Sequence, residues 1–215
     1  MPRTDFSHVE TWVFDLDNTL YSPSIRLFDQ IETRMNAYVM QTLGIGAEAA
    51  GRLRRHYWQT YGTTLAGLMQ EHALDPEPYL ADVHDIDLSA VVATPDLAAA
   101  IGRLRGRKVV FTNGSREHAR RVTAAIGLGG AFDALYGFED ASYVPKPQPS
   151  AFATVFALAG LVPERAAMFE DDPRNLAVPH ALGMRTVLVG PALAEVGSHV
   201  HHQTEDLRTF LDSIA

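Results

Sequence analysis

An apolar run that closes on two carboxylates is the first place to look for chemistry. In Thr11-Trp12-Val13-Phe14-Asp15-Leu16-Asp17-Asn18-Thr19-Leu20, the acids Asp15 and Asp17 stand two residues apart at the end of a segment that asks to be buried. Burying an unpaired carboxylate is costly or forces its protonation. The pair therefore needs compensating charge. Three further stretches carry groups of the right kind: Thr112-Asn113-Gly114-Ser115 offers hydroxyls and backbone N–H, Lys146 between Pro145 and Pro147 offers a cation, and Glu170-Asp171-Asp172 offers metal-type oxygen ligands.

The elements that would position these groups follow from periodicity. Residues 11–16 read as a short buried strand. Ser22-Pro23-Ser24 offers a cap and a proline near a first turn, and Phe28, Ile31, Met35, Tyr38 and Val39 then fall at helical spacing. More helical material runs through Leu53, Tyr57, Leu65, Leu68 and Met69, with no strand expected between about residues 21 and 94. From Pro95 the chain alternates: a helix at DLAAAIGRLRG, a strand at KVVFT, a helix opened by Ser115, an apolar ALYGF, a helix at PSAFATVFALAG, a strand at AAMFE, a helix at RNLAVPHALG and a strand at RTVLVG. Alternation of this length means βαβ units and a parallel sheet covered on both faces. The expected fold is α/β, a Rossmann-like doubly wound parallel sheet formed by residues 1–20 and 95–215, with an all-helical insert over residues 21–94. The tail is expected to end in a short helix that packs Leu207, Phe210 and Leu211. In such sheets ligands sit at the carboxyl ends of the strands, where all four chemical stretches lie.

Composition narrows the function. The 215 residues carry 18 Lys+Arg against 26 Asp+Glu, a formal charge of −8, which argues against a nucleic-acid surface but leaves room for a small anionic substrate beside a metal. With no cysteine, a disulfide framework, a thiolate nucleophile and a cysteine-based zinc site are excluded. The amino-terminal MPRTDFSHVE lacks an apolar signal core, and no run approaches the roughly 20 apolar residues of a membrane span, so a cytoplasmic, membrane-free protein is expected. No GK[ST] loop is present, and the glycines of LGIGAEAAG follow no strand, so neither a P-loop nor a dinucleotide site is indicated.

The four stretches, in this order, resemble the signature motifs of haloacid-dehalogenase (HAD) superfamily hydrolases with a helical cap inserted after the first strand. Within the insert, YWQTYGTTLAGL and VHDIDLS are similar to the branch called pyrimidine 5′-nucleotidases. The resemblance implies a Mg²⁺-dependent phosphomonoester hydrolase working through an aspartyl-phosphate, with a small phosphorylated metabolite, first a pyrimidine nucleoside 5′-monophosphate, as substrate. Asp15 is then the nucleophile, ionised at neutral pH when unperturbed. Asp17 serves as general acid and then general base. Mg²⁺ is held by the Asp15 and Asp171 side chains and the Asp17 carbonyl, Glu170 orients a metal water, Lys146 is the fixed cation, and Thr112 with the Asn113 and Gly114 backbone holds phosphate oxygens. The resemblance places a second polar residue four after the main acid, which selects Asp171, with Asn175 behind it, over Asp172, a candidate helix cap. Asn18 replaces the commoner glycine of the first motif, as a tolerated turn residue.

Other readings stand beside these. His56, Tyr57, Trp58, Tyr61 and Thr64 could meet a nucleobase or sugar, or Tyr57, Trp58 and Tyr61 could simply form the core of the cap. His199, His201 and His202 could bind a transition metal, though an exposed tail is the expectation. The alternatives in function are a small sugar-phosphate or phosphoglycolate phosphatase and a phosphomutase on the same core. A dehalogenase would need neither Asp17 nor Asp171. From a different class, a phospho-accepting receiver module uses similar groups, but in another order and in about half this length without an insert.

Overall fold

The computed structural model describes residues 2–215. Six strands form one all-parallel sheet in the order β3-β2-β1-β4-β5-β6: β1 (Thr11–Phe14), β2 (Arg107–Phe111), β3 (Ala134–Tyr136), β4 (Ala166–Glu170), β5 (Arg185–Val189) and β6 (His202–Thr204). Strand β1 is central, with Val13 opposite Val109 on one side and Met168 on the other. Its side chains alternate between two cores. Trp12 and Phe14 join Val110, Ala167, Phe169 and Val187 on one face, while Val13 joins Val109, Phe111, Met168 and Leu188 on the other. This two-sided burial explains why the strands read as continuous apolar runs.

Helices cover both faces. The first core takes α6 (Pro95–Arg103), α7 (Arg116–Ala125) and α10 (Leu207–Ile214); the second takes α8 (Pro149–Ala159). A four-residue α1 (Pro2–Asp5) precedes the sheet, and α9 (Ala177–Ala181) follows β4. Between β1 and α6 the chain forms only helices: a short 3₁₀ turn, then α2 (Leu27–Leu43), α3 (Ala47–Tyr61), α4 (Thr64–His72) and α5 (Pro76–Val83). Ile31, Val39, Leu65, Leu68, Tyr79 and Val83 are buried within these four helices. The α3–α4 packing is close: a Cβ on Gly67 would stand 2.2 Å from Tyr57 Cγ, so only glycine lets α4 approach that ring. No helix among the described residues is long and apolar enough to cross a membrane.

Four expectations are corrected in detail. Strand β1 stops at Phe14, although the Asp15 N–H still donates to the Phe169 carbonyl at 2.9 Å. Ser22 caps the 3₁₀ turn Pro23–Ile25, and α2 starts only at Leu27. RNLAVPHALG is a 3₁₀ turn, Pro173–Leu176, running into the short α9. The histidine segment is tied to the sheet rather than a free tail, although His201 is exposed as expected: His202 opens β6, His201 Nδ1 and the Thr186 hydroxyl are 2.7 Å apart, and His199 Nε2 is 2.9 Å from the Pro173 carbonyl. Those three rings are spread over separate packing contacts, so no shared metal site forms among them.

Candidate active site

All the strand-end groups meet at one edge of the sheet. Lys146 Nζ, fully buried, donates to Asp15 Oδ1 at 2.7 Å, to Glu170 Oε2 at 2.6 Å and to the Phe111 carbonyl at 3.0 Å. Its loop is fixed by Asn113, which accepts the Lys146 N–H at 2.8 Å and donates to the Lys146 carbonyl at 3.1 Å. This double clamp ties the loop after β3 to the loop after β2. Thr112, buried at the end of β2, accepts the Gly114 N–H on its hydroxyl at 2.9 Å, which shapes the turn of backbone donors. Asn18 holds φ +63°, a left-handed conformation that asparagine tolerates, and so turns the chain back after Asp17.

One ammonium faces three acids. Carboxylate oxygens of Asp15, Glu170 and Asp171 lie within 4.8 Å of one another. Burial, then the charge of Glu170, pushes Asp15 up to about 7 despite Lys146. Burial likewise raises Glu170 to about 7 and, with Asp15 beside it, Asp171 to about 6. Burial works against the charge of Lys146, but Asp15 and Glu170 outweigh it and hold the ammonium above the ordinary lysine range. The cluster is short of positive charge.

A hard divalent cation fits that deficit. Besides the three acids, Asn175 is buried in the same cavity wall with an Oδ1 that has no partner, an oxygen donor left over by the protein. All the free donors are oxygens, the set that Mg²⁺ takes. Asp172 points elsewhere: it caps the 3₁₀ turn through the Arg174 N–H at 3.0 Å and pairs with the Arg174 guanidinium at 2.6 Å.

Asp17 sits apart from the cluster in its own hydrogen-bonded niche. Tyr21 donates to Asp17 Oδ1 at 2.6 Å, and His118 Nε2 lies 2.9 Å from the same oxygen. Burial opposes its charge, but the His118 ring and the bonds from His118 and Tyr21 prevail, so Asp17 is held below the usual carboxylate range. The His84 ring, from the end of α5, stacks on His118 with centroids 4.3 Å apart, and its Nδ1 is 3.2 Å from the Ser115 hydroxyl. Burial, then His118, lowers His84 to about 3, so this ring is neutral. The sequence reading missed Tyr21, His84 and His118. Two signals were available: Tyr21 follows Asp17 by four residues, and His118 is the third residue after the cap Ser115, so both turn back toward the strand ends.

A cavity of about 550 Å³ opens over these groups and runs up between the inserted helices. Of the insert residues singled out in the sequence, Thr64 and Trp58 line it; His56, Tyr57 and Tyr61 do not. Tyr57 is buried against Gly67 with its hydroxyl 2.8 Å from His72 Nε2, Tyr61 bonds Glu71, and His56 is exposed near Thr60. The wall is built instead by residues including Phe28, Ile31, Met35, Arg54 and Tyr79.

A parallel sheet with buried acids at its strand ends and helices inserted after the first strand makes a Rossmann-like α/β fold with its candidate site where such folds hold their ligands. The family model of haloacid dehalogenase-like hydrolases matches residues 9–183, and the chain belongs to that family. Phosphate metabolism protein 8 of Saccharomyces cerevisiae is 27% identical over 195 residues, covering 83% of this chain; the chain spans 61% of the length of that relative. Validoxylamine A 7′-phosphate phosphatase of Streptomyces hygroscopicus subsp. limoneus is 27% identical over 154 residues, 64% of this chain and 72% of the other. Among solved structures, the HAD-hydrolase YfnB of Bacillus subtilis, bound to magnesium, aligns with TM-score 0.60 and 16% identity over 96% of this chain and 98% of its own. A protein assigned as a beta-phosphoglucomutase from Thermotoga maritima aligns with TM-score 0.59 and 17% identity, again over 96% and 98%. At such identities these structures speak for the fold alone.

Proposed function

We propose that this chain is a Mg²⁺-dependent phosphomonoesterase that works through an aspartyl-phosphate on Asp15 and prefers pyrimidine nucleoside 5′-monophosphates. The observation that carries the reaction class is the Asp15–Lys146–Glu170–Asp171 cluster, a nucleophile-type carboxylate beside one fixed cation and surplus oxygen donors, at the foot of the cavity. The relative named for phosphatase activity supports the same class. The apolar wall of Phe28, Ile31, Met35, Leu65 and Leu80 supports a flat unsaturated leaving group over a polyhydroxylated one.

In this reading the Asp15 carboxylate attacks phosphorus while the ester P–O bond breaks. Asp17, ionised in the free protein and oriented by Tyr21 and His118, takes up a proton as the anionic phosphate enters beside it and gives that proton to the departing alkoxide oxygen. The same carboxylate then takes a proton from the water that attacks the aspartyl-phosphate, releasing phosphate and restoring Asp15. Lys146 holds Asp15 in place, and the Thr112 hydroxyl, turned by its bond from the Gly114 N–H, together with the Asn113 N–H donates to phosphate oxygens as charge develops. Asp15, Asp171, the Asp17 carbonyl and the Asn175 amide oxygen would hold Mg²⁺, which when bound supplies the positive charge that the acids and a phosphate dianion require. Residues 21–94 act here as the cap that excludes water, and residues 1–20 and 95–215 as the catalytic core.

The test is phosphate release with Mg²⁺ from UMP, CMP, dTMP, AMP, GMP, phosphoglycolate and sugar phosphates. Preference for the pyrimidine nucleotides supports the reading. A sugar-phosphate preference removes the substrate assignment, and transfer to a second hydroxyl without net phosphate release would mark a mutase.

A further inference from the structure

The upper end of the cavity contains polar groups that the fold leaves unused. Arg54, on α3, lines the wall with its side chain only 15% exposed. One of its terminal nitrogens reaches Glu32 at 3.4 Å, and its Nε–H has no partner. Tyr79, on α5, is 2% exposed; its hydroxyl lies beside Thr64 without a hydrogen bond of ordinary geometry, within the field of the Arg54 charge. Three helices of the insert thus each send a polar side chain to one place, among Phe28, Ile31 and Met35. Buried donors without partners are expensive, and each calls for an explanation. Packing alone gives none here, because phenylalanine at position 79 would fill the same volume without the hydroxyl.

We infer that Arg54 and Tyr79, with Thr64 beside them, form a recognition site for a hydrogen-bond-accepting oxygen on the substrate's leaving group, specifically a ring carbonyl of the kind a pyrimidine base carries. This rests on the phosphomonoesterase reading above and adds its specificity determinants. The phosphate end is held at the strand ends; the far end of the molecule lies along the apolar wall and meets the Arg54 Nε–H and the Tyr79 O–H. A site built in this way favours a substrate that carries the acceptor over an analogue that lacks it, since only the former gives the two donors the partner they lack. Adenine, with no ring carbonyl, is one such analogue, and a bare phenyl ring is another.

The experiment is steady-state kinetics of the wild type, Tyr79→Phe and Arg54→Met on UMP, AMP and phenyl phosphate. The wild type should favour UMP over both others. Each variant should lose about tenfold in kcat/KM on UMP, mainly as a higher KM, the effect of one lost hydrogen bond. On phenyl phosphate the variants should stay within about twofold of the wild type, because that substrate makes neither bond. An equal loss on both substrates would assign the residues to structure only, and no loss on UMP would mean that water satisfies them; either overturns the inference. Should Arg54→Met fail to fold, Tyr79→Phe, which removes one oxygen atom, decides alone. Phosphate release from phenyl phosphate without preference for UMP overturns the recognition site and leaves the phosphatase standing, whereas no release from any of the three overturns both.

Discussion

At the floor of the cavity, Lys146 has three partners within 3.0 Å and every one of them is set by the end of a strand. At the roof, Arg54 has two weak partners, Glu32 at 3.4 Å and the Met35 sulfur at 3.7 Å, and an Nε–H with none, and it stands on a helix of the insert. The floor is rigid because its side chains hang from a sheet whose registers fix them in a ladder across β2, β1 and β4. It also carries part of its compensation with it, one lysine for three acids. The roof is apolar with isolated polar groups, and its accounts close only when something else fills the cavity. A catalytic constellation needs preorganisation, whereas a recognition wall needs groups kept in reserve for a ligand.

The sharpest way to break this contrast is at the nucleophile. Asp15→Asn should cost at least about a thousandfold in turnover while the protein folds as before, because the amide keeps the shape and loses the charge that attacks. Phosphate release together with a thermal melt checks both halves. Retained turnover would remove Asp15 from the chemistry and make the floor a structural ion cluster.

Lys146→Met comes next and tests how far the floor depends on its one fixed cation. Removing the buried cation strands Asp15 and Glu170, so the loss of stability should be about 3–5 kcal/mol near neutral pH, measured by denaturant unfolding without metal. It should shrink toward about pH 5, where the two acids take up protons in place of the lysine. Adding Glu170→Gln to the same variant should recover part of the loss. A variant as stable as the parent would show that the acids do not depend on Lys146.

Much of this floor was legible beforehand because its residues obey short-range rules. Asp15, Thr112 and Glu170 end apolar runs and Lys146 sits between two prolines, while the choice of Asp171 over Asp172 comes from the family resemblance, which places a polar residue, here Asn175, four after the main acid. Chain order alone put them at one sheet edge. The roof was not legible, since Arg54 and Tyr79 are separated by a helix and a half and are brought together only by α3, α4 and α5 packing around Tyr57 and Gly67. Aromatic residues in a small helical insert carry no label that separates core from wall, so Tyr57 and Tyr61 stand open between ligand contact and core, and Tyr79 is not singled out. Strand β6 escaped for a related reason: three residues, all of them polar, have no usable period, and only pairing with β5 makes them a strand.

Metal dependence sharpens the floor further. Asp15, Glu170 and Asp171 hold protons more firmly folded than unfolded, with values of about 7, 7 and 6. Their raised values favour the metal-free fold below the ordinary carboxylate range near pH 4, and that contribution is lost as pH rises through about 6–7. Mg²⁺ needs the ionised acids, so the rise in melting temperature on adding it should be larger at about pH 8 than at about pH 5. Asp171→Asn should abolish most of that rise, and Asp172→Asn little of it. Equal rises at both pH values, or the reverse ranking of the two variants, would move the cation elsewhere.

The smallest effect lies where floor and roof touch. Trp58, on α3, is 47% exposed, and the Arg174 guanidinium stacks on its ring 3.7 Å from the centroid while pairing with Asp172. Stacking between a half-exposed ring and a cation contributes only about 0.5–1 kcal/mol, so Trp58→Leu should lower stability by no more than that. Its effect on catalysis should exceed its effect on folding. The contact ties the insert to the turn directly after Asp171, and loosening it should raise KM a few-fold with kcat unchanged when the insert helps to retain substrate. Arg174→Met should reproduce that change, because either variant removes the same stack, and the double variant should add nothing to either single one. Additive effects would mean that Trp58 and Arg174 each meet the substrate separately, and the contrast between a rigid floor and a roof waiting for its ligand would then extend to this seam as well.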